Sequence, residues 1–321
     1  MSTRMASSRT SSRHCVADMG RIVVVGSYNT GLTVVSPTLP APGQTVLGHT
    51  FDMGPGGKGS NQAIGARRLG ADVTLVAKVG NDSFGAAARE LFQREGLLGP
   101  GILEAAASTG VGLILVDDAG SNMIAVAPGA NALLSPEDLQ AMPGLFGGAS
   151  HLLCQLECTP ELFGAAALRA RDAGVTTVLN PAPAVPLSDD VLALVDVATP
   201  NQTELAVLAG MPVEDDEQAE TAARSLLDRG TGRLVVTLGE RGVMLVTARE
   251  TTRYAARGVR VTDTTGAGDA FNAGLVVELA RGRSLEESIE LGQRAGAFCV
   301  AHLGVIEGLP TIDELDREVP P

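Results

Sequence analysis

Apolar residues along this chain gather into short runs separated by longer stretches of helical spacing. The runs at 21–25, 73–76, 151–154, 175–179, 195–198, 234–238 and 243–246 are too short for buried helices and read as strands. Between most of them apolar positions recur with a helical period, as at 161–173 and 219–229. Such alternation predicts an α/β fold: a central, mostly parallel sheet flanked by helices, with ligands beyond the carboxyl ends of its strands. Two excursions break the rhythm. Residues 32–35 with 44–53, and 110–116 with 122–126 across the turn Asp117-Asp-Ala-Gly120, predict short hairpin strands.

The candidate chemistry is concentrated in two glycine-rich segments. In Asp263-Thr-Thr-Gly-Ala-Gly-Asp-Ala-Phe271, a β-prone run at 259–262 enters and an amphipathic helix is expected to leave, with Phe271, Leu275 and Leu279 in register and Gly282 at C′. Gly266 and Gly268 permit a tight turn, so the N–H groups of residues 266–269 can converge on an anion at the positive end of that helix. Asp269 stands among those donors. From this motif alone it reads equally well as a helix cap or as a catalytic carboxylate. The dinucleotide fingerprint is excluded, because G-x-G-x-x-G begun at Gly266 would need glycine where Phe271 stands.

The second segment, Gly54-Pro-Gly-Gly-Lys-Gly-Ser-Asn-Gln-Ala63, also precedes a helical pattern, through Ala66 and Leu69 to Gly70. A phosphate-binding P-loop ending at Lys58 would need glycine at 52 and Ser or Thr at 59, where Asp52 and Gly59 stand. Lys58 and Asn61 at a helix start instead suit a polyhydroxyl ligand lying close to the backbone of Gly56 and Gly57. The alternative is a flexible turn with a solvated lysine. Two such loops suggest two ligands.

Further pieces accompany these: Gly26-Ser-Tyr-Asn29, Gln155-Leu-Glu157, Asn180-Pro-Ala-Pro183, Pro200-Asn-Gln-Thr-Glu204 and Thr237-Leu-Gly-Glu-Arg-Gly242. Seven pieces in this order resemble the ribokinase branch of the PfkB family of carbohydrate kinases, over about residues 21–316. The resemblance implies a ribokinase-like kinase domain over 19–321, whose segments near 30–55 and 109–128 form a small β lid and often a dimer surface. It implies ATP-dependent phosphorylation of a sugar hydroxyl, D-ribose to D-ribose 5-phosphate or a close pentose, by a cytoplasmic homodimer using Mg²⁺ with ATP and K⁺ as activator.

The resemblance also assigns roles. Asp269 is the base, with Gly266, Ala267 and Gly268 as the anion hole. Asn29, Gly56, Gly57, Lys58, Asn61 and Glu157 join Asp269 around the sugar. Asn201, Glu204, Thr237, Gly239, Gly242 and Gly268 face ATP, and Glu204 positions Mg²⁺ through water. Asp263, Thr265, Cys299, Gly304 and Gly308 surround K⁺, acting through backbone carbonyls. Read without the family, Pro200-Asn201 is a strand-to-helix turn and Asp263 a turn residue. One position departs from the pattern: the family has Asn-x-Asp after the first strand, and here Asn29-Thr30-Gly31 lacks the carboxylate that would hold vicinal hydroxyls of ribose. Another sugar, a sugar derivative or a nucleoside therefore stands as an alternative substrate. A non-catalytic sugar or nucleotide sensor on a kinase scaffold is a second alternative.

Composition narrows the partners. With 321 residues and 45% hydrophobic content the chain can bury a large core, and its net charge of −13 argues against nucleic acid, which is bound by neutralising phosphates. No apolar stretch is long enough to predict a membrane span. The four cysteines are scattered, which fits a reducing cytosol. His151, Cys154 and Cys158 lack a fourth zinc ligand nearby, and the run containing His151 reads as a strand. Residues 1–18 carry serines and three arginines with no apolar segment before Met19; they are expected to be disordered, either as a transit peptide or through a start codon assigned too far upstream.

Overall fold

Val23 and Val25 pack to one side of the first strand, Ile22 and Val24 to the other, and all four are buried. A strand apolar on both faces needs a helical layer on each. The structure, a computed structural model describing residues 19–319, supplies both layers. In chain order its strands and helices are β1 (Arg21–Val25), β2 (Asn29–Ser36), β3 (Thr50–Gly56), α1 (Lys58–Arg68), β4 (Val73–Gly80), α2 (Ser83–Arg94), β5 (Ile102–Ala105), β6 (Gly110–Asp117) and β7 (Asn122–Ala127). There follow α3 (Pro136–Gln140), β8 (Ala149–Cys154), α4 (Pro160–Asp172), β9 (Thr176–Leu179), α5 (Asp189–Leu192), β10 (Val197–Ala198), α6 (Gln202–Ala209) and α7 (Asp216–Asp228). The chain closes with β11 (Leu234–Thr237), β12 (Val243–Val246), β13 (Thr251–Tyr254), α8 (Ala267–Ala280), α9 (Leu285–Ala301) and α10 (Ile312–Glu318). The expectations for residues 1–18, and Cys15 with them, lie outside the described residues.

Nine strands form the main sheet in the order β13-β12-β11-β10-β9-β8-β1-β4-β5, parallel except where β12 pairs with β11 and β13. One core cluster draws on α1, α2, α8, α9 and α10, the other on α3, α4, α6 and α7, so the sheet is covered on both faces. Four further strands make a second sheet, β3-β2-β6-β7, which continues directly from the carboxyl end of β1. Among the described residues no helix is long and apolar enough to cross a membrane.

Several expectations are corrected. Residues 259–262 are not a strand: Val261 is largely exposed, and the Thr262 N–H donates to the Val300 carbonyl of α9 rather than to a sheet. The sheet already ends at β13, so an alternating Val-Arg-Val-Thr run has no strand to pair with. The helix from Ala267 is not amphipathic; ten of its residues are buried because α8 lies between α1, α9 and the sheet. The second glycine segment is not an extended loop: Gly54–Gly56 close β3, Gly57 alone, at φ 93°, makes the turn, and α1 already begins at Lys58. Residues 44–49 lie outside β3, and the strand expected at 195–198 shrinks to β10. The edge strands β5 and β13 were not foreseen, for both are short and half-exposed and carry little apolar signal.

Candidate active site

The parallel strands deliver their carboxyl ends to one edge, and the residues that follow them gather there: Ser27 to Asn29 after β1, Gln155 and Glu157 after β8, Asn180 after β9, Thr199 and Asn201 after β10, Thr237 at the end of β11. Two helices start at this edge. The N-terminus of α1 sits on the turn after β1 so closely that a Cβ on Gly59 would lie 2.5 Å from the Ser27 nitrogen. Further along, α1 crosses α8 at Gly65, where an added Cβ would come within 2.8 Å of Ala273 Cβ. Small residues at the crossing bring the first turns of the two helices together.

That approach decides what Asp269 does. The cap of α8 is Gly266, in the left-handed region at φ 81°, and Asp269 lies three residues further in. Its carboxylate caps nothing. Asn61 Nδ2 donates to one of its oxygens at 2.8 Å and Gln62 Nε2 to the other at 2.9 Å. With 6% of its surface exposed, Asp269 is raised above the usual aspartate range by burial, against the opposing pull of Lys58 and the two amide donors. A carboxylate so placed is a stronger base than one in water.

Of the four N–H groups expected to be free, Ala267 is committed: it donates to the Thr264 carbonyl at 3.3 Å, as the turn into α8 requires. Those of Gly266, Gly268 and Asp269 have no protein acceptor among the described residues, leaving three donors at the helix start.

Lys58 opens α1 beside this group. Burial disfavours its charge, but Asp269, Glu157 and Glu204 outweigh that and hold the ammonium above its ordinary range. Glu157 is fixed through one oxygen, which accepts the Lys58 N–H at 2.8 Å and the Ser27 hydroxyl. Asn29 is buried at the foot of the second sheet, its Oδ1 taking a hydrogen bond from Asn131 Nδ2 at 2.9 Å. Alternation along β2 puts Gly31 on the same face as Asn29, paired with Gly54 on β3 and Gly112 on β6. None of these three glycines has a left-handed φ. An added Cβ would meet nothing within 4 Å at Gly54 or Gly112, and only ordinary contacts at Gly31. The backbone does not require glycine there.

Asn201 and Glu204 form a capping box at the start of α6, each side chain accepting from the other's N–H at 2.8 Å. The turn reading of Asn201 is thus correct as local structure. Burial also raises the Glu204 carboxyl, and Lys58 and Asp269 are near enough to influence it. Thr237 bridges to Asn201 across the strand ends. Gly239, at φ 60°, has open space where a side chain would be, whereas a Cβ on Gly242 would strike the Tyr254 carbonyl at 2.0 Å, so packing alone explains that glycine.

The other predicted cluster closes beneath α8. Asp263 accepts the Thr265 N–H at 2.9 Å and the Gly304 N–H at 3.3 Å, and these bonds hold its carboxyl below the usual range although burial pushes the other way. Cys299 Sγ contacts the Thr265 carbonyl at 3.5 Å, and Gly308 donates to the Gly304 carbonyl at 3.0 Å. His151 lies on β8 with Cys154, and no group of three or more metal-ligating side chains occurs among the described residues.

Sequence reasoning missed the roles of Ser27, Gln62, Asn180, Thr199 and Asn272. For Ser27, Asn180 and Thr199 the only available signal was a polar residue directly after a buried strand, and Gln62 and Asn272, inside α1 and α8, had not even that. Gln62 follows Asn61 immediately, and neighbours on a helix do not share a face, so nothing pointed both at one carboxylate.

Comparison with known proteins identifies the family. Residues 19–312 match the pfkB family carbohydrate kinase family. The chain is 37% identical to a ribokinase of Haemophilus influenzae over 294 residues, covering 91% of this chain and 96% of that protein. It is 33% identical to a deoxyribokinase of Salmonella typhi over 298 residues, covering 92% and 97%. The structure superposes on Arabidopsis thaliana ribokinase, solved with ribose and ATP, with a TM-score of 0.85 at 29% identity, covering 93% of this chain and 98% of that one. The chain belongs to the pfkB family of carbohydrate kinases, and is a phosphotransferase with an alcohol group as its acceptor.

Proposed function

We propose that this enzyme transfers the γ-phosphoryl group of ATP to the primary hydroxyl of a pentose of the ribose type. The observation that carries the reading is Asp269, a buried carboxylate beside three unpaired N–H groups at the start of α8. Phosphoryl transfer needs a positioned hydroxyl, a base for its proton and fixed positive charge around the moving group. Asp269 takes the proton, while Gly266, Gly268 and the Asp269 N–H, with the dipole of α8, receive the phosphoryl oxygens. Lys58, Asn61, Glu157 and Asn29 hold the sugar. Asn61 Oδ1 is buried and accepts no hydrogen bond among the described residues, which suits it to accept one from a sugar hydroxyl.

Asn201, Glu204, Thr237 and Gly239 line the nucleotide side. Glu204 keeps one carboxylate oxygen outside its capping box, which suits a water-mediated contact to Mg²⁺. A monovalent cation fits between residues 263–265 and 304–308, where Asp263 and the carbonyls of Thr265 and Gly304 offer hard oxygen donors. Cys299 would contribute its carbonyl, since a thiol is a poor ligand for an alkali ion. Such an ion supplies fixed positive charge beneath the anion hole.

The second sheet acts as a lid over the sugar. Its face away from Gly31 carries Phe51, Met53, Leu113 and Met123, each more than half exposed, which supports a homodimer formed through the lid. The free thiols Cys154, Cys158 and Cys299 suit a reducing cytosol.

The test is a coupled assay of ADP release against ribose, 2-deoxyribose, fructose and nucleosides, with Asp269→Asn in parallel. Turnover is expected to fall roughly 10²-fold or more in Asp269→Asn with ATP binding retained. A variant as fast as wild type would remove Asp269 as the base. Sugar or nucleotide binding without turnover would mark a sensor.

A further inference from the structure

The amides around Asp269 belong to a buried chain whose polarity is set at its far end. The Thr199 main-chain carbonyl can only accept, and Asn180 Nδ2 donates to it at 3.2 Å. That bond turns Asn180 Oδ1 toward Gln62, whose Nε2 donates to it at 2.9 Å. Gln62 Oε1 in turn accepts Gln155 Nε2 at 2.5 Å. Both ends of the Gln62 amide are therefore specified, and its second N–H has one direction left, toward Asp269 Oδ1. Gln155 has room for this pose because Gly26 lacks a side chain: an added Cβ would lie 2.3 Å from Gln155 Oε1. The Thr199 hydroxyl also reaches Asn272 Oδ1 at 2.6 Å, and Asn272 Nδ2 donates to the Gly268 carbonyl at 2.8 Å, tying the chain to the turn that opens α8. Gln62, Gln155, Asn180, Thr199 and Asn272 are all buried, so water does not compete for these bonds.

We propose that Gln62 is the positioning residue of the base, and that Asn180 and Gln155 act through it by forcing an N–H rather than a carbonyl to face Asp269. With its amide reversed, Gln62 would set an oxygen against the carboxylate, and Asp269 would keep its proton or turn away from the sugar hydroxyl. Asn61 cannot substitute, because it meets the other oxygen. The charged and titratable groups facing Asp269 are Lys58 on α1, Glu157 after β8, Glu204 on α6 and Cys299 on α9. The Gln62 side chain is hydrogen-bonded to Asn180, Gln155 and Asp269 and to none of these groups among the described residues, so a change at Gln62 reaches Asp269 through the amide.

The inference rests on Asp269 being the base, and the experiment separates the two. The pH dependence of kcat/KM is measured for wild type, Gln62→Met, Asn180→Leu and Asp269→Asn, with the melting temperature of each. Gln62→Met deletes the N–H donor at similar length. Its acidic limb is expected to move up by about half a pH unit or more, with kcat lowered about tenfold and the sugar KM changed less than threefold. Asn180→Leu, which does not touch Asp269, is expected to move the limb the same way by less. Should Gln62→Met not fold, Asn180→Leu carries the test alone. A limb that stays in place while the rate falls equally at every pH would reduce the network to packing and overturn the proposal. A fast Asp269→Asn would sink both readings.

Discussion

Replacing Gly31 by Asp restores a carboxylate at the position where the family pattern has one, and the structure allows the consequence to be worked out. Gly31 has no left-handed φ, so an aspartate costs no backbone strain. Its Cβ would stand 3.5 Å from the Gly54 carbonyl and 3.9 Å from Ile114 Cδ1, ordinary contacts both. Gly54 and Gly112, paired with it on either side, leave the new carboxylate a clear row to extend over. Charge-assisted hydrogen bonds to two vicinal hydroxyls are worth about 1.5 to 3 kcal/mol, or roughly tenfold to a hundredfold in affinity. A sugar lacking one hydroxyl gains less. The natural enzyme is thus expected to discriminate poorly between ribose and 2-deoxyribose, or to favour a bulkier sugar that fills the glycine row. Gly31→Asp is expected to raise kcat/KM for ribose about tenfold or more relative to 2-deoxyribose. Both kinds of kinase occur among the relatives, so similarity alone does not choose. The assay is kcat/KM for ribose, 2-deoxyribose, fructose and a nucleoside on both proteins. Strong ribose selectivity in the natural enzyme, unimproved by Gly31→Asp, would refute the reasoning and show that other groups hold the hydroxyls.

Three more predictions follow from other parts of the molecule. If residues 263–265 and 304–308 enclose K⁺, exchanging it for Na⁺ at constant ionic strength lowers activity, and equal rates in both salts would remove the cation. Burial pushes His151 down to about 4 from 6.5, so the unfolded chain binds a proton that the folded one refuses. Stability is therefore complete above pH 6.5 and falls as pH drops from there toward 4, by up to roughly 3 kcal/mol. Urea midpoints for His151→Gln should lose most of that slope, and an unchanged slope would acquit His151. Finally, Leu113→Glu on the outer lid face should shift the protein toward monomer in sedimentation, and an unaltered mass would place any dimer contact elsewhere.

Much of the site was legible because it is local. Gly57 must be glycine, since its φ is 93° and a Cβ would lie 2.7 Å from the Asn29 nitrogen, and the two helix starts announce themselves through such residues. The runs that became β1, β8 and β12 needed only their apolar pattern. By contrast, 259–262 has a strand's composition without a neighbour to pair with, and the apolar residues of α8 point all round because of what surrounds it. Pairing and burial are not properties of a segment.

The sequence by itself determined the alternation of strands and helices, the two glycine-led helix starts and the types of residue gathered there, because periodicity and φ preference act over a few residues. Tertiary structure alone decided what those residues meet. It turned Asp269 from a possible cap into a carboxylate held by Asn61 and Gln62, two hundred positions away in the chain, once small residues let α1 and α8 cross closely. It also aligned Gly31, Gly54 and Gly112 into one row by strand register. These are contacts between distant segments, and they exist only when the whole sheet has formed and brought its carboxyl ends to a common edge.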